Sequence, residues 1–448
     1  MKICTVGGFE EVGKNMTAVK VGDDVIIFDA GLHLPPLIEM QEQETQQQAY
    51  TEKKLRGIGA IPDDRVLDGL GWRDKVKAIV IGHAHLDHVG AVPYLAHRYP
   101  NAKIIASPFT MEILKGILLD EKINIKNELM TIKPNGTYMI NKKENLKLEL
   151  VHTTHSTLQC VLPVLHTKEG IVVYALDFKF DNYPVIGDPP NYRRLRELGR
   201  KGVKTLIIDS LYSGTDRRTA SERIARNLLE DALSYVRGRD SALFITTFSS
   251  HIARLKSIVE FGKKTRRQII FLGRSLNKYT TAAINVGQCP FQKQVQLIKY
   301  RRQIDSTLSK VNKERGKYLI VCTGHQAEKG AILDRIVKGE TPFHFKNGDH
   351  VIFSSSIIPV NVNIMARDRM DKKLRKLGAR IQTDIHVSGH AGREDLRDLV
   401  EILKPKHIIP AHGSLQQETP MVDLATELGY KFGQTVHLSS NGKVLRLK

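Results

Sequence analysis

The sequence predicts an α/β fold in which a second α/β unit is inserted into the first. Three observations carry this: short β-branched runs that close on Gly, Asp or His, helical patterns between them, and a change of charge in mid-chain. The runs are VIIFDAG (25–31), KAIVIGHAH (77–85), LKLELVHTTH (146–155), GIVVYALDF (170–178), KTLIIDS (204–210), RIQTDIHVSGH (380–390) and HIIPAHG (407–413). Four to six consecutive apolar residues read as buried strands. DHVGAVPYLAHRY (87–99) and GREDLRDLVEILK (392–404) read as helices, the second opening on acids and stopping at Lys404-Pro405. From 209 to 360 the chain carries 26 Lys and Arg against 13 Asp and Glu. That stretch has its own alternation, with SALFITTFSS, HIARLKSIVEFGKKTRR, QIIFLG, YLIVCTG and HVIFSSS. The expected organisation is a first domain over 1–208 and 361–448 with a second domain, 209–360, inserted. The Gln-rich stretch 41–54 reads as an exposed loop or short mobile helix.

Composition narrows the function. The formal charge is +20 over 448 residues and the isoelectric point is near 9.6, which suits a polyanionic partner, nucleic acid before an anionic membrane. Four isolated cysteines form no CxxC pair, so disulfide scaffolds and cysteine zinc ribbons are excluded and a reducing cytosol is expected. MKICTVGGFEEVG shows no apolar signal core, and the apolar runs are too short to cross a membrane. A cytoplasmic protein without membrane contact is expected.

The sharpest motif is HAHLDHVG, which places His83, His85, Asp87 and His88 between a strand and a helix. At such a turn, residues two apart can aim both rings at one point, while Asp87 and His88 face a neighbouring point. Imidazoles and carboxylates are ligands that zinc accepts. His155, Asp177 and His412 each stand at the carboxyl end of a buried run, where one edge of an α/β sheet gathers its site. Asp29, in IIFDAG, is placed to orient a ligand from behind. IHVSGHAG (385–392) sets small residues and a serine before a helix N-terminus, a geometry whose N–H groups bind phosphate. Lys263, Lys264, Arg266 and Arg267 are expected to touch phosphates without reading sequence.

HxHxDH with the downstream His, Asp and His resembles the metallo-β-lactamase fold, an αββα sandwich. The basic insertion with Asp209 (IIDSLY), His390 (VSGHAG) and His412 (PAHG) resembles the β-CASP subgroup of nucleic-acid hydrolases. Within it, LDFKFDNYPVIGDPP, CTGHQAEKGA, FSSSIIP and HVSGHAG are similar to the ribonuclease J family in its short archaeal form. The resemblance spans essentially the whole chain. It implies one zinc held by His83, His85 and His155, a second held by Asp87, His88 and His412, and Asp177 bridging them, with manganese as the alternative metal. Two cations about 3.5–4 Å apart stabilise both attacking and leaving oxygens of an in-line displacement. Asp87 would also orient the attacking hydroxide, and His390, paired with Asp209, would protonate the departing 3′-oxygen. His386, Val387, Ser388, Gly389 and His390, with Ser354, Ser355 and Ser356, would hold the 5′-monophosphate of single-stranded RNA. The implied activity is 5′→3′ exoribonuclease action in RNA decay or maturation, by a homodimer.

Three departures stand out. The additional C-terminal domain of bacterial members is expected to be absent, VNVN follows SSSIIP where bacterial members have GNE, and 41–54 reads as an insertion. The alternatives are an endoribonuclease of the related cleavage-factor branch and, in another class, a non-catalytic RNA-binding scaffold. Against the first, the opening strand begins near residue 3 and leaves no room for N-terminal KH domains. Against the second, all seven ligand positions are filled.

Overall fold

The computed structural model describes residues 1–43, 50–236, 240–358 and 361–447. Among them the strands form three sheets. The first has seven strands in the order Lys443–Arg446, Lys2–Gly7, Met16–Val21, Asp24–Phe28, Val76–Ile81, Lys103–Ala106 and Leu129–Thr131. It is antiparallel up to Asp24–Phe28 and parallel beyond. The second has six, in the order His407–Ala411, Val203–Asp209, Gly170–Ala175, Val161–Thr167, Leu146–His152 and Thr137–Asn141. Its first three strands run parallel and the others alternate.

These two sheets pack face to face. Val19, Ile26, Phe28, Val80 and Ile105 of the first share one core with Leu148, Leu150, Val172, Ile207 and Ile409 of the second. The Phe28 and Tyr174 rings stack across the layer with centroids 5.1 Å apart. Residues such as Ile79 and Val173 point the other way, into the helical layers, which is why these runs read as continuous apolar sequence. Pro108–Glu121 covers the first sheet; Tyr192–Lys201, Arg393–Leu403 and Leu415–Glu427 cover the second. The result is an αββα sandwich.

The third sheet is wholly parallel, ordered Gln296–Ile298, Gln268–Leu272, Tyr318–Cys322, Leu243–Thr246, His350–Phe353 and Arg380–Gln382. The chain leaves the sandwich at Asp209 and rejoins it with the helix Arg393–Leu403, which packs on the second sheet and leads into His407–Ala411, the strand that pairs with Val203–Asp209. Both ends of the insertion meet the site rim because the helix Arg393–Leu403 then runs back along the sheet: the parallel register sets His407 beside Thr205, at the rim opposite Asp209. Arg380–Gln382 pairs with His350–Phe353, so the inserted sheet draws on chain beyond residue 360, where the sequence reading ended it.

Several local expectations shift. The pattern 87–99 breaks into Leu86–Val89, Val92–Leu95 and the 3₁₀ turn Ala96–Arg98. Of 380–390 only Arg380–Gln382 is strand, and the remainder is a loop that reaches back to the sandwich. Of the Gln-rich stretch, 41–43 end the helix Leu34–Gln43 and 52–54 open Glu52–Gly57, while 44–49 lie outside the described residues. No helix among the described residues is long and apolar enough to cross a membrane.

A buried polar network ties the insertion to the sandwich. Glu222 accepts both arms of the Arg254 guanidinium fork and lies 3.2 Å from His251 Nε2. Arg254 also donates to the carbonyl oxygens of Ser354 and Ile385. Asp181 accepts from the Glu222 N–H and stands beside the buried Lys179 ammonium. The network thus holds the 350s, the 380s and the chain just past Asp177 in one frame. Glu222→Ala strands a fully buried guanidinium, and equilibrium denaturation should show a loss of about 3–5 kcal/mol. Glu230→Ala, which breaks the exposed pair with Lys264, should cost no more than about 1 kcal/mol.

Candidate metal centre

The site lies where both inner sheets end. His83 and His85 follow Val76–Ile81, and His85 is the N-cap of Leu86–Val89, whose first turn carries Asp87 and His88. From the second sheet come His155, Asp177, Asp209 and His412, each at or just past the end of a strand. The expectation of a single sheet edge is corrected: the rim of a two-sheet sandwich assembles the cluster.

The turn is held close against the segment after Asp24–Phe28. The Ala30 N–H donates to the His88 carbonyl at 2.8 Å, and the Leu32 N–H to that of Leu86 at 2.9 Å. A Cβ on Gly31 would stand 1.6 Å from the Asp87 carbonyl oxygen, so only glycine lets the two segments approach. Asp29, Asp177 and His412 all adopt positive φ, at 59°, 51° and 61°. This left-handed conformation is costly for residues with a Cβ, and here it turns Asp177 and His412 into the donor cluster and Asp29 against His88 behind it.

Asp177 is the hub. Its Oδ2 lies 3.4 Å from His83 Nε2, 3.2 Å from His88 Nε2 and 3.5 Å from His155 Nε2, and its Oδ1 lies 3.4 Å from His412 Nε2. Of the three donor groups that share it, two are rich in histidine, with His83, His85 and His155 on one side and Asp87, His88 and His412 on the other; the third is Asp209 with His390. Within each group the ligand atoms lie within 4.8 Å of one another. His83 Nε2 and Asp177 Oδ1 are buried without a hydrogen-bond partner. Buried polar atoms left unpaired are costly, and nitrogen and oxygen lone pairs converging on two points are what a divalent cation satisfies. The residues fit a metal centre.

The rings are oriented from behind. His88 Nδ1–H donates to Asp29 Oδ2 at 2.6 Å, and Asp29 Oδ1 accepts from the Gly82 N–H. His412 Nδ1–H donates to Asn15 Oδ1 at 3.0 Å, and His155 Nδ1–H to the Gly389 carbonyl at 2.7 Å. His85 directs Nε2 to Ser250 Oγ at 3.1 Å and Nδ1 into the cluster, 3.0 Å from His155 Nε2. These bonds fix which nitrogen faces the cleft. Asn15 also donates to the Asp87 carbonyl. Sequence reading missed Asn15 and Ser250; Ser250 alone left a trace, a polar end to the apolar run ALFITTFSS.

Burial pushes the pKa of His83 and His85 down to about 3, which keeps both rings neutral as ligands must be. Burial opposes charge on Asp177 too, but His412, His88 and His390 outweigh it and hold the carboxyl well below its ordinary range. Around His390 burial is likewise outweighed, by Asp177 and then Asp209, and its pKa rises to about 9. His390 Nδ1–H donates to Asp209 Oδ2 at 2.9 Å, and Asp209 Oδ1 accepts from the Leu211 N–H.

The phosphate-pocket residues separate into two kinds. Ser354 is committed, its hydroxyl donating to the Ile385 carbonyl. Ser355 Oγ and His386 Nδ1 are buried without a partner, and the His386 ring stands 6.2 Å from that of Phe248. Val387 is buried, Ser356 is exposed, and Ser388 Oγ accepts from the His390 N–H. The helix N-terminus expected to cradle phosphate is already occupied. The N–H groups of Arg393 and Glu394 donate to the Thr215 and Arg217 carbonyls, and Asp395 caps the Gly392 N–H. Of the basic residues expected to touch phosphate, Arg267 is buried and donates to the carbonyls of Ser241, Arg315 and Tyr318, and Lys264 pairs with Glu230.

An αββα sandwich with His and Asp donors at its rim and an α/β insertion at the same rim defines a metallo-β-lactamase-type hydrolase with a β-CASP domain. Family models agree: metallo-beta-lactamase superfamily over 10–189, ribonuclease J beta-CASP domain over 240–369, and Zn-dependent metallo-hydrolase RNA specificity domain over 376–437. The chain belongs to the ribonuclease J family. It is 41% identical to the ribonuclease J of Methanocaldococcus jannaschii, over 99% of this chain and 98% of that one. Identity to the Pyrococcus abyssi ribonuclease J is 42%, over 100% and 97%. Against ribonuclease J 1 of Streptococcus pyogenes it is 31%, over 99% of this chain and 74% of the relative. A solved Enterococcus faecalis protein of unknown function shares the fold at 16% identity, with a TM-score of 0.65 over 99% of both chains.

Proposed function

We propose that this ribonuclease J family member is a zinc-dependent 5′→3′ exoribonuclease acting on single-stranded RNA with a 5′-monophosphate, in RNA decay or maturation. The observation that carries the reading is the meeting of two donor groups on the one carboxylate of Asp177. The histidine-rich donor set suits two zinc ions, with manganese as the alternative. When bound, such a pair supplies Lewis acidity at a phosphoryl oxygen and makes water a better nucleophile.

The chain's own residues do the rest. His390 holds a proton at neutral pH and delivers it to the departing 3′-oxygen. Asp209 is its positioning residue: by accepting from Nδ1–H it leaves Nε2 to carry the transferable proton. Asp87, half-buried at the mouth with Oδ2 3.7 Å from His88 Nε2 and 3.9 Å from His412 Nε2, orients the attacking water. Ser355, His386 and the Ser388–Gly389 segment are assigned to the 5′-phosphate. Burial, with Arg254 and His251 adding to it, lowers His386 to about 3, so the ring serves as a neutral hydrogen-bonding group. The inserted domain's excess of Lys and Arg suits an RNA backbone. Four free cysteines, all buried, suit a cytoplasmic enzyme, and a homodimer is the assembly that goes with the family.

End-labelled RNA resolved by product length tests the reading. A 5′-monophosphorylated strand should yield mononucleotides, a 5′-triphosphorylated strand should be degraded much more slowly, and His85→Ala or a chelator should abolish both reactions. Internal fragments from triphosphorylated or circular RNA would instead indicate an endonuclease. A second test uses pH. The acid is active while His390 is protonated, so the rate falls as pH rises through its pKa. Asp209→Asn removes a stabilising carboxylate, and the alkaline limb should move to lower pH. An unmoved limb would remove Asp209 from this role.

A further inference from the structure

The two donor groups are oriented from different parts of the chain. His88 and His412 are backed by Asp29 and Asn15, both in the first sheet's segments of the sandwich. His85 is backed by Ser250, in the turn that follows the inserted sheet's strand Leu243–Thr246, and His155 by the Gly389 carbonyl, in the loop returning from that sheet. So two of the three histidines on one side of Asp177 take their orientation from the inserted domain and its return loop. Neither partner of the opposite pair comes from there.

Ser250 is not free to wander. It is 8% exposed and immediately precedes His251, the N-cap of Ile252–Gly262, whose ring accepts from the Arg254 N–H and faces Glu222. The Glu222–Arg254 network therefore sets where the Ser250 hydroxyl stands. With Nε2–H donating to that hydroxyl, His85 presents the Nδ1 lone pair to the cluster, as a metal ligand must.

We infer that Ser250 is a positioning residue for the His83, His85 and His155 group, so that docking of the inserted domain on the sandwich completes one of the two cation sites and not the other. The inference rests on the two-ion reading above. Its consequence is selective: loosening the domain contact weakens one ion while the other stays. Hydrogen-bond partners behind metal ligands commonly account for 10–100-fold in affinity.

Zinc titration of the metal-free full chain against a chromophoric chelator tests this, with thermal unfolding of each metal-free variant as the folding control. The wild type should take up two ions, and uptake of fewer would sink the two-ion reading itself. Ser250→Ala should weaken one ion by about 10–100-fold and spare the other. Ser250→Thr, which keeps the hydroxyl, should restore it to within about threefold. Asn15→Ala should weaken the opposite ion, so the double variant should weaken both. If Ser250→Ala binds two ions as the wild type does, or the double variant loses only the ion that each single variant loses, the inference is wrong. Should Ser250→Ala unfold early, Ser250→Cys, which replaces the hydroxyl by a weak acceptor of similar size, is expected to show the same selective loss; retention of both ions there would equally overturn it.

Discussion

Everything in this molecule's chemistry depends on burying one carboxylate among imidazoles. Asp177 is 1% exposed, and its two oxygens face the rings of His83, His88, His155 and His412. An isolated buried carboxylate is costly, by several kcal/mol, and polar atoms around it remain unpaired. The arrangement makes sense as a receptor for positive charge, and on His88, His155 and His412 the ring nitrogen that faces Asp177 is the one opposite the nitrogen held by Asp29, the Gly389 carbonyl or Asn15. Stability has been traded for a pre-formed cluster.

The sandwich is what sustains that trade. Three site residues sit in left-handed backbone conformations at strand ends, and each is held by the packed layers behind it. The Asp29 N–H donates to the Val80 carbonyl and the His412 N–H to that of Gly8. The inserted domain leaves and returns on the same rim: His390, in the returning loop, donates to Asp209, and the helix Arg393–Leu403 then carries the chain to the opposite rim, where His407–Ala411 begins beside Thr205. Asp209 ends the strand from which the insertion departs, and His412 follows the strand to which the chain returns. The Gly389 carbonyl and His390 in the returning loop therefore stand against His155 and Asp209 at the donor cluster.

Much of this was legible in the sequence, for a physical reason. Strands buried on both faces must be apolar, so the polar residue that ends each run stands out, and Asp29, His155, Asp177 and His412 were found that way, while Asp209 came in only with the family resemblance. The HAHLDHVG turn was legible because its ligands are local. Of the groups behind the rings, Asp29 was legible but two others were not: Asn15 lies between a glycine-rich turn and a strand with nothing in its surroundings to mark it. Ser250 acts across a domain boundary that sequence does not measure. The SGHAG segment misled in one respect, because its helix N-terminus looks free in sequence while Thr215 and Arg217, far away in the chain, already use its N–H groups. The end of the insertion slipped for a similar reason, since Arg380–Gln382 is too short to announce its sheet.

Anomalous diffraction at the zinc edge, from crystals of the chain loaded with zinc, addresses the central claim most directly. Two peaks should flank the Asp177 carboxylate, one against His83, His85 and His155 and the other against Asp87, His88 and His412. A single peak, or metal bound away from Asp177, would contradict it.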